Sequence, residues 1–280
     1  MNNKDDFESI IPTALYTAYP LIYTDIPFSK EMYNLLSKNG FPKELQNDNL
    51  AISLEARYKL IDKLLNQTGI TQIIELACGF TTRGLTKCLN NRDIVYVEFD
   101  LPKVIKDKKS MLKTFSKIPN NLHFVSGNAL DEKDLNKCLK YFDFNKPIAI
   151  INQGLMRYLN FEEKEILEKN IHNIISKNDG AWITCDITPL RTNVPNIKDN
   201  IILNSVTDRN QTAWRYKDKN HVEQVLNKIG LNIEWHDFTE VIDELVSPEK
   251  LNFSKEDTKK KIEGIFVGVM KSKKSLNEVI

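Results

Sequence analysis

From about residue 52 onward, short apolar segments typical of strands alternate with longer segments of helical periodicity. The strand-like segments are QIIEL (72–76), DIVYVEFD (93–100), LHFVS (122–126), PIAIINQ (147–153) and GAWITCD (180–186). Apolar residues recur at helical spacing in 53–66, 101–117, 131–142, 160–176 and 217–230. Parallel strands need a crossover connection, usually a helix, and parallel sheets are covered on both faces. The alternation therefore predicts an α/β fold, a Rossmann-like parallel sheet with helices on both faces.

The last part of the chain departs from this alternation. LNIEWHDF (231–238) and EGIFVGVM (263–270) are two more strand candidates, with no crossover helix of the same rhythm between them. We expect a hairpin-like end to the sheet, with one strand antiparallel. The domain hypothesis is an N-terminal cap over residues 1–50 and a main domain over 51–280, with lid insertions at about 187–216 and 239–262.

Charge and cysteine spacing exclude several classes of protein. The 280 residues carry a formal net charge of +1, so nothing favours nucleic acid or an anionic membrane as a partner. The cysteines at 78, 88, 138 and 185 are too widely spaced for a zinc site or a compact disulfide framework. No apolar segment is long enough for a membrane span, and the N-terminal residues lack the apolar stretch of a signal peptide. We expect a cytoplasmic protein with reduced thiols and no metal; its oligomeric state stays open.

The segment IIELACGFTTR (73–83) predicts a ligand site at the end of the first strand. A dinucleotide site would need G-x-G-x-x-G, because its pyrophosphate contacts backbone amides, and only Gly79 is present here. Asp100 follows Glu75 by 25 residues, close to the spacing at which an acid binds ribose hydroxyls. A nucleoside ligand without phosphate points to S-adenosylmethionine. The alternative is that both acids are merely polar strand ends.

Three blocks of the sequence resemble successive motifs of the leucine carboxyl methyltransferase family, which includes polyketide O-methyltransferases of the tetracenomycin type. The blocks are IIELACGFTTRGL (73–85), YVEFDLPKVIKDKK (96–109) and INQGLMRYL (151–159). EARYKLID (55–62) resembles the family's helix before the first strand, and the resemblance covers roughly residues 50–190. It implies a class I methyltransferase fold, with a seven-stranded sheet whose last two strands are reversed in order.

The resemblance also implies cofactor-binding roles, which place Glu75 at the strand end that holds S-adenosylmethionine. The matching positions are Arg57 for the methionine carboxylate, Ala77 and Gly79 for the turn beneath the cofactor, Asp100 for the ribose, Leu101, Asn128 and Ala129 for the adenine, and Gln153 near the sulfonium. Two of these depart from the pattern. Asn128 stands where the family commonly has aspartate, and Gln153 where it commonly has glutamate.

The candidate acceptor residues lie after the fourth strand and in the cap segments. Arg157 and Tyr158 are candidates for binding a small-molecule acceptor, and Tyr19, Trp214 and Tyr216 for an aromatic wall. His221 is the candidate catalytic base. A carboxylic acid is ionised at neutral pH and needs no base, whereas a phenol would gain from one.

Three functions remain open from the sequence. The first is an S-adenosylmethionine-dependent O-methyltransferase acting on a carboxylate or hydroxyl of a small molecule. The second is a methyltransferase acting on a protein C-terminal carboxylate. The third is a cofactor-binding pseudoenzyme or interaction module, for which Gln153 and Asn128 are the reason.

Overall fold

A computed structural model of the chain describes residues 10–43, 46–177, 179–187 and 215–273. Its centre is a seven-stranded sheet in the order β3-β2-β1-β4-β5-β7-β6. The strands are β1 (Gln72–Leu76), β2 (Val95–Asp100), β3 (Leu122–Ser126), β4 (Ile148–Asn152), β5 (Ala181–Thr184), β6 (Leu231–Asp237) and β7 (Phe266–Ser272). Each overlaps a strand predicted from the sequence.

The pairing pattern confirms the predicted class of sheet. Strands β1 to β5 pair in parallel, whereas β7 is antiparallel to both of its neighbours, β5 and β6. The sheet therefore ends as predicted, with one antiparallel strand. In the sheet order, β7 lies between β5 and the edge strand β6. The order reverses between β1 and β4, and this switch point is where open α/β sheets bind ligands.

The helices lie on both faces of the sheet and in the cap segments. They are α1 (Ile10–Ala18), α2 (Ser29–Leu36), α3 (Ala51–Thr68), α4 (Arg83–Asn90), α5 (Pro102–Phe115), α6 (Glu132–Asn136), α7 (Phe161–Ile175), α8 (Lys219–Lys228), α9 (Ser247–Lys250) and α10 (Lys255–Ile262). Local sequence sets several of these bounds. Pro102 opens α5, Asn160 caps α7 together with Glu163, and Gly69 ends α3 in a left-handed conformation. No helix of the described residues is long and apolar enough to cross a membrane.

Two hydrophobic clusters cover the two faces of the sheet. On β1, Ile73 packs into the cluster that contains residues of α3, α4 and α5, and Ile74 into the cluster that contains residues of α6, α7 and α8. All five residues of β1 are buried, because successive side chains point to opposite covered faces. Burial on both faces accounts for the apolar residues at adjacent positions, Ile73 and Ile74, where a strand with one exposed face would alternate.

The segment 239–262 packs against α3. Glu55 of α3 is fully buried and accepts hydrogen bonds from the backbone amides of Val246 (3.0 Å) and Ser247 (2.8 Å). Lys250 donates to the carbonyl of Thr24 (3.1 Å), which joins this segment to the N-terminal cap. Its function as a lid stays a prediction, and residues 188–214 of the other predicted lid lie outside the described residues.

Candidate functional site

The turn after β1 is fastened to the end of β2 by Asp100. The backbone amide of Gly79 donates to Asp100 Oδ2 and that of Leu101 to Asp100 Oδ1, each at 2.7 Å. Burial raises the pKa of the Asp100 carboxyl, while the two amides act in the opposite direction. The side chain is 9% exposed, and each oxygen still has a lone pair for a further donor. Asp100 therefore lies at the carboxyl end of β2, one strand away from the switch point between β1 and β4.

The same turn leaves room for a ligand. Ala77 and Gly79 both have positive φ angles, 48° and 49°. For a residue with a side chain this conformation is unusual and costs free energy, so Ala77 is a strained position at the candidate site. A Cβ atom added at Gly79 would meet no atom within 4 Å apart from those of the adjacent residues in the chain. The space over the turn is therefore open, as a cofactor lying against it requires.

Glu75 lies behind the strand end and is completely buried. Its carboxylate accepts hydrogen bonds from Arg83 Nη1 (2.7 Å), from the Tyr96 hydroxyl (2.8 Å) and, at 3.3 Å, from the Thr81 hydroxyl. Protein donors thus occupy both oxygens. Direct contact between Glu75 and a cofactor stays a prediction, and the observed geometry favours a supporting role.

Arg83, which the sequence interpretation did not select, is the centre of this network. It is fully buried at the start of α4, pairs with Asp62 (2.8 Å) as well as Glu75, and lies 4.2 Å from the centroid of the Tyr58 ring. Its Nη2 also approaches Gln153 Oε1 (3.4 Å). The network therefore joins α3, β1 and the loop after β4.

The region predicted to flank the adenine lies at the end of β3. Asn128 is exposed, and its Oδ1 accepts from the amide of Leu130 (3.0 Å), while its own amide donates to Asp134 (2.9 Å). Ala129 is buried, and its carbonyl accepts from Asn170 of α7 (3.3 Å). Asn128 is thus held just after the carboxyl end of the edge strand β3, which lies beside the end of β2.

The loop after β4 is anchored by Asp186, another residue that the sequence interpretation did not select. Its carboxylate accepts from the Asn152 side chain (2.7 Å) and from the amides of Gly154 (2.6 Å), Leu155 (2.7 Å) and Met156 (3.1 Å). This loop carries three of the predicted site residues, Gln153, Arg157 and Tyr158. An acid directly after a buried strand was the available signal, the same one that marks Asp100.

Two arginines near this loop have no recorded polar partner. Among the described residues, no hydrogen bond or ion pair is found for Arg57 or Arg157, and the Nε atom of each is buried. Burial raises the pKa of the Tyr158 hydroxyl, the charges of Arg157 and Arg57 lower it, and the charge of Asp186 raises it. Arg157 and Tyr158 are neighbours in the loop after β4, and the charge of Arg57 on α3 also acts there.

Tyr216 is buried, and its hydroxyl donates to Glu168 of α7 (2.6 Å). Lys164 Nζ lies 4.9 Å from the centroids of the Phe161 and Tyr216 rings. Because its hydroxyl is bonded to Glu168, Tyr216 has a structural contact with α7. The role of Tyr216 in binding an acceptor stays a prediction.

The other predicted acceptor residues are spread further apart. His221 lies in the first turn of α8, its Nδ1 accepts from the amide of Lys217 (3.3 Å), and its ring packs near Phe161. Tyr19 belongs to an aromatic cluster of the N-terminal cap, where its hydroxyl lies 3.1 Å from that of Tyr23. Trp214 lies outside the described residues. The assignments of these residues to catalysis or acceptor binding stay predictions.

The raised pKa of the Glu168 carboxyl predicts that the stability of the fold depends on pH. Burial raises the pKa of its carboxyl from 4.5 to about 7, although Tyr216 and the charge of Lys164 lower it. The protonated form therefore stabilises the fold at low pH, and this contribution is lost as the pH rises through about 7. Urea unfolding should give Glu168→Gln a flatter stability profile than the wild type, by about 1–3 kcal/mol between pH 5 and pH 8. Parallel profiles for the two proteins would contradict the assignment.

A large cleft of about 800 Å³ lies elsewhere, between α3, the segment after α1 and the segment before α9. Its lining includes Asp25, Lys59, Asp62, Lys63 and Glu244 and none of the predicted cofactor or acceptor residues. Lys59 pairs with Asp25 (2.7 Å) and Lys63 with Glu244 (3.2 Å), so these charges already have partners. We therefore place the candidate site at the ends of β1, β2 and β4.

Metal and thiol chemistry have no candidate cluster in the part of the chain that the structure describes. No group of three His, Cys, Asp or Glu residues is arranged to hold a metal ion there. The four cysteines are buried and free, and burial raises the pKa of each thiol. Thiolate nucleophiles are disfavoured by such an environment.

Comparison with known families gives a match over more than half of the chain. The family model described as "Leucine carboxyl methyltransferase" matches residues 24–172. A curated protein of Mycobacterium tuberculosis, described as a "Putative S-adenosyl-L-methionine-dependent methyltransferase", is 28% identical over 121 residues. That alignment covers 42% of this chain and 37% of the relative, so the chain spans little more than a third of the relative's length.

Solved structures give the same fold over nearly the whole chain. A Thermobifida fusca protein described as a "putative methyltransferase" has a TM-score of 0.54 at 14% identity, covering 92% of this chain and 94% of its own. A Nostoc punctiforme protein described as a "putative O-methyltransferase" has a TM-score of 0.53 at 12% identity, covering 91% of this chain and 72% of its own. At these identities the likeness establishes the fold alone, a class I methyltransferase-like sheet.

Proposed function

The chain belongs to the leucine carboxyl methyltransferase family, whose cofactor is S-adenosylmethionine, and we propose that it is an O-methyltransferase acting on a small molecule. The proposed acceptor group is a carboxylate, with a hydroxyl as the alternative. The observation that carries the proposal is the position of Asp100 at the carboxyl end of β2, bonded to the open turn at Gly79 beside the switch point. A largely buried carboxylate with a lone pair left on each oxygen suits the two hydroxyls of a ribose.

The residues at the sheet edge fit the cofactor along its length. Asn128 follows the end of β3, where the adenine would lie, and Asp100 ends β2, where the ribose would lie. Because β1 and β4 follow β2 in the sheet, the methionine half would extend toward β4. Arg57, whose buried Nε has no recorded partner among the described residues, is suited to bind the methionine carboxylate. Bound S-adenosylmethionine supplies an electrophilic methyl group on its sulfonium.

Arg157 favours a carboxylate acceptor over a neutral one. It follows the loop after β4, beside Tyr158, and no hydrogen bond or ion pair is recorded for it among the described residues. A guanidinium without a protein partner is matched by an anionic ligand, which it can bind with two parallel hydrogen bonds. A carboxylate is ionised at neutral pH, so His221 would be needed as a base only for a hydroxyl. The chain's contribution would then be chiefly proximity and alignment.

Methyl transfer from labelled S-adenosylmethionine tests this proposal directly. We expect label to enter the small-molecule fraction of a metabolite extract in an alkali-labile form, because methyl esters hydrolyse in base. Alkali-stable label would favour a hydroxyl acceptor. Label in the macromolecular fraction would favour a protein C-terminal carboxylate, and binding without any transfer would favour a pseudoenzyme; each result contradicts the proposed acceptor class.

Replacing Arg157 should separate acceptor binding from cofactor binding. We expect Arg157→Gln to raise KM for the carboxylate acceptor by about tenfold or more, because a charge-assisted hydrogen bond contributes about 1.5–3 kcal/mol. Calorimetry should give an unchanged Kd for S-adenosylmethionine. Lys169→Gln is the matched control, since Lys169 is an exposed cation on α7 that pairs with Glu165. An unchanged KM in Arg157→Gln would remove Arg157 from the acceptor site.

A further inference from the structure

Asp186 holds the loop after β4 through an unusual concentration of hydrogen bonds on one carboxylate. Three successive backbone amides, at Gly154, Leu155 and Met156, donate to it at 2.6, 2.7 and 3.1 Å. Asn152 donates to it as well at 2.7 Å, and Asn152 Oδ1 in turn accepts from the indole of Trp182 (2.7 Å). The conformation of residues 152–156 thus depends on this one acid.

The position of Asp186 in the fold places it beside the methyl-donor end of the site. It lies just after β5, which pairs in parallel with β4, and its carboxylate bonds the residue that follows Gln153. With the ribose at Asp100 on β2, the sheet order carries the cofactor across β1 toward β4. The sulfonium would therefore lie near the loop that Asp186 holds.

The other side chains considered near the loop after β4 either are neutral or are already bonded to protein groups. Glu75 is bonded to Arg83, Tyr96 and Thr81, and Gln153 carries no charge. Glu168 accepts from Tyr216, and burial raises the pKa of its carboxyl to about 7. Asp186 is half-buried, its hydrogen bonds come from neutral groups, and it has no ion pair among the described residues.

From this arrangement we infer that Asp186 is a positioning residue whose charge also favours the cationic sulfonium of S-adenosylmethionine over the neutral thioether of the product, S-adenosylhomocysteine. The inference rests on the proposed function and extends it from cofactor binding to discrimination between cofactor and product. Preference for the charged form keeps the product from occupying the site after each transfer.

The ratio of two dissociation constants isolates this charge effect. Calorimetry on the full chain would give Kd for S-adenosylmethionine and for S-adenosylhomocysteine in the wild type, Asp186→Asn and Asp186→Glu. We expect Asp186→Asn to lose about tenfold of the preference for the cationic ligand, which corresponds to one charge about 12 Å away at an effective dielectric constant of about 20. Asp186→Glu retains the charge and should retain most of the preference.

Two further variants separate charge from structure. Asp237→Asn is the matched control, because Asp237 also accepts from backbone amides, those of Thr239 (2.9 Å) and Gly264 (2.7 Å), but lies at the end of the edge strand β6. It should leave the ratio unchanged. The double variant Asp186→Asn/Gln153→Glu returns a carboxylate to this loop and should recover the preference, which loss of loop structure alone would not allow.

Each outcome decides between the two proposals. An equal ratio in the wild type and Asp186→Asn, with both ligands bound, would overturn the inference and leave the proposed function standing. If Asp186→Asn unfolds, the ratio in Gln153→Glu decides: an added carboxylate in this loop should strengthen the preference for the cationic ligand, and an unchanged ratio overturns the inference. A wild-type protein that binds neither ligand would overturn both.

Discussion

Asp100→Ala is expected to weaken S-adenosylmethionine binding by about 100-fold or more. The substitution removes an acceptor for the two ribose hydroxyls, and charge-assisted hydrogen bonds are each worth about 1.5–3 kcal/mol. It also releases the turn at Gly79, whose amide donates to Asp100 Oδ2 at 2.7 Å. Calorimetric titration of the purified variant with S-adenosylmethionine measures the loss.

Two controls make the Asp100 result specific. Asp107→Ala removes an acid of α5 that pairs with Lys103 at the protein surface, and it should leave the affinity unchanged. Asp100→Asn keeps an oxygen acceptor at the same place, so its affinity should fall between those of the wild type and Asp100→Ala. Wild-type affinity in Asp100→Ala would remove the site assignment.

The largest expected effect on stability comes from Glu75. Glu75→Leu would leave Arg83 fully buried with only Asp62 as a charged partner. Breaking a buried pair by removing one partner typically costs about 3–5 kcal/mol, because it leaves a buried charge uncompensated. Urea unfolding should therefore show a large fall in the free energy of unfolding, or no folded protein.

Two comparisons test whether the loss of stability comes from an uncompensated buried charge: one with an exposed ion pair and one with a double variant. Lys255 and Asp243 form an ion pair with side chains 70% and 76% exposed, so Lys255→Ala should cost less than about 1 kcal/mol. Glu75→Leu/Arg83→Leu removes both buried charges and should be more stable than Glu75→Leu alone. Equal losses for Glu75→Leu and Lys255→Ala would show that the network does not carry the stability assigned to it.

The sheet could be predicted because its strands are short runs of apolar residues that are buried on both faces. QIIEL became β1 at its predicted bounds, since Ile73, Ile74 and Leu76 lie in the two hydrophobic clusters and the polar side chains of the strand are buried with hydrogen-bond partners. Helix α4 was not predicted, because RGLTKCLN is only eight residues long and its buried face includes Arg83 and Gly84 beside Leu85 and Cys88. Its start is fixed instead by the tertiary contacts of Arg83.

Side-chain direction was harder to predict than strand position. Asp100 and Glu75 lie at or near the ends of the neighbouring strands β2 and β1. The Asp100 carboxylate lies at the carboxyl end of the sheet, whereas the Glu75 carboxylate is completely buried and bonded to Arg83 of α4. The basic helix α5 gives a similar case. A lysine-rich helix usually has a solvated face, yet Lys108 is fully buried and pairs with Glu98 at 2.8 Å. The partners of both buried groups are distant in sequence, so periodicity alone does not reveal them.

A crystal structure of the protein with S-adenosylhomocysteine tests the central claim most directly. The account predicts that both ribose hydroxyls lie within hydrogen-bond distance of the Asp100 carboxylate, over the turn at Gly79, with the thioether toward the loop after β4. A ligand bound in the cleft beside Lys59 and Glu244, or a ribose with no contact to Asp100, would contradict it.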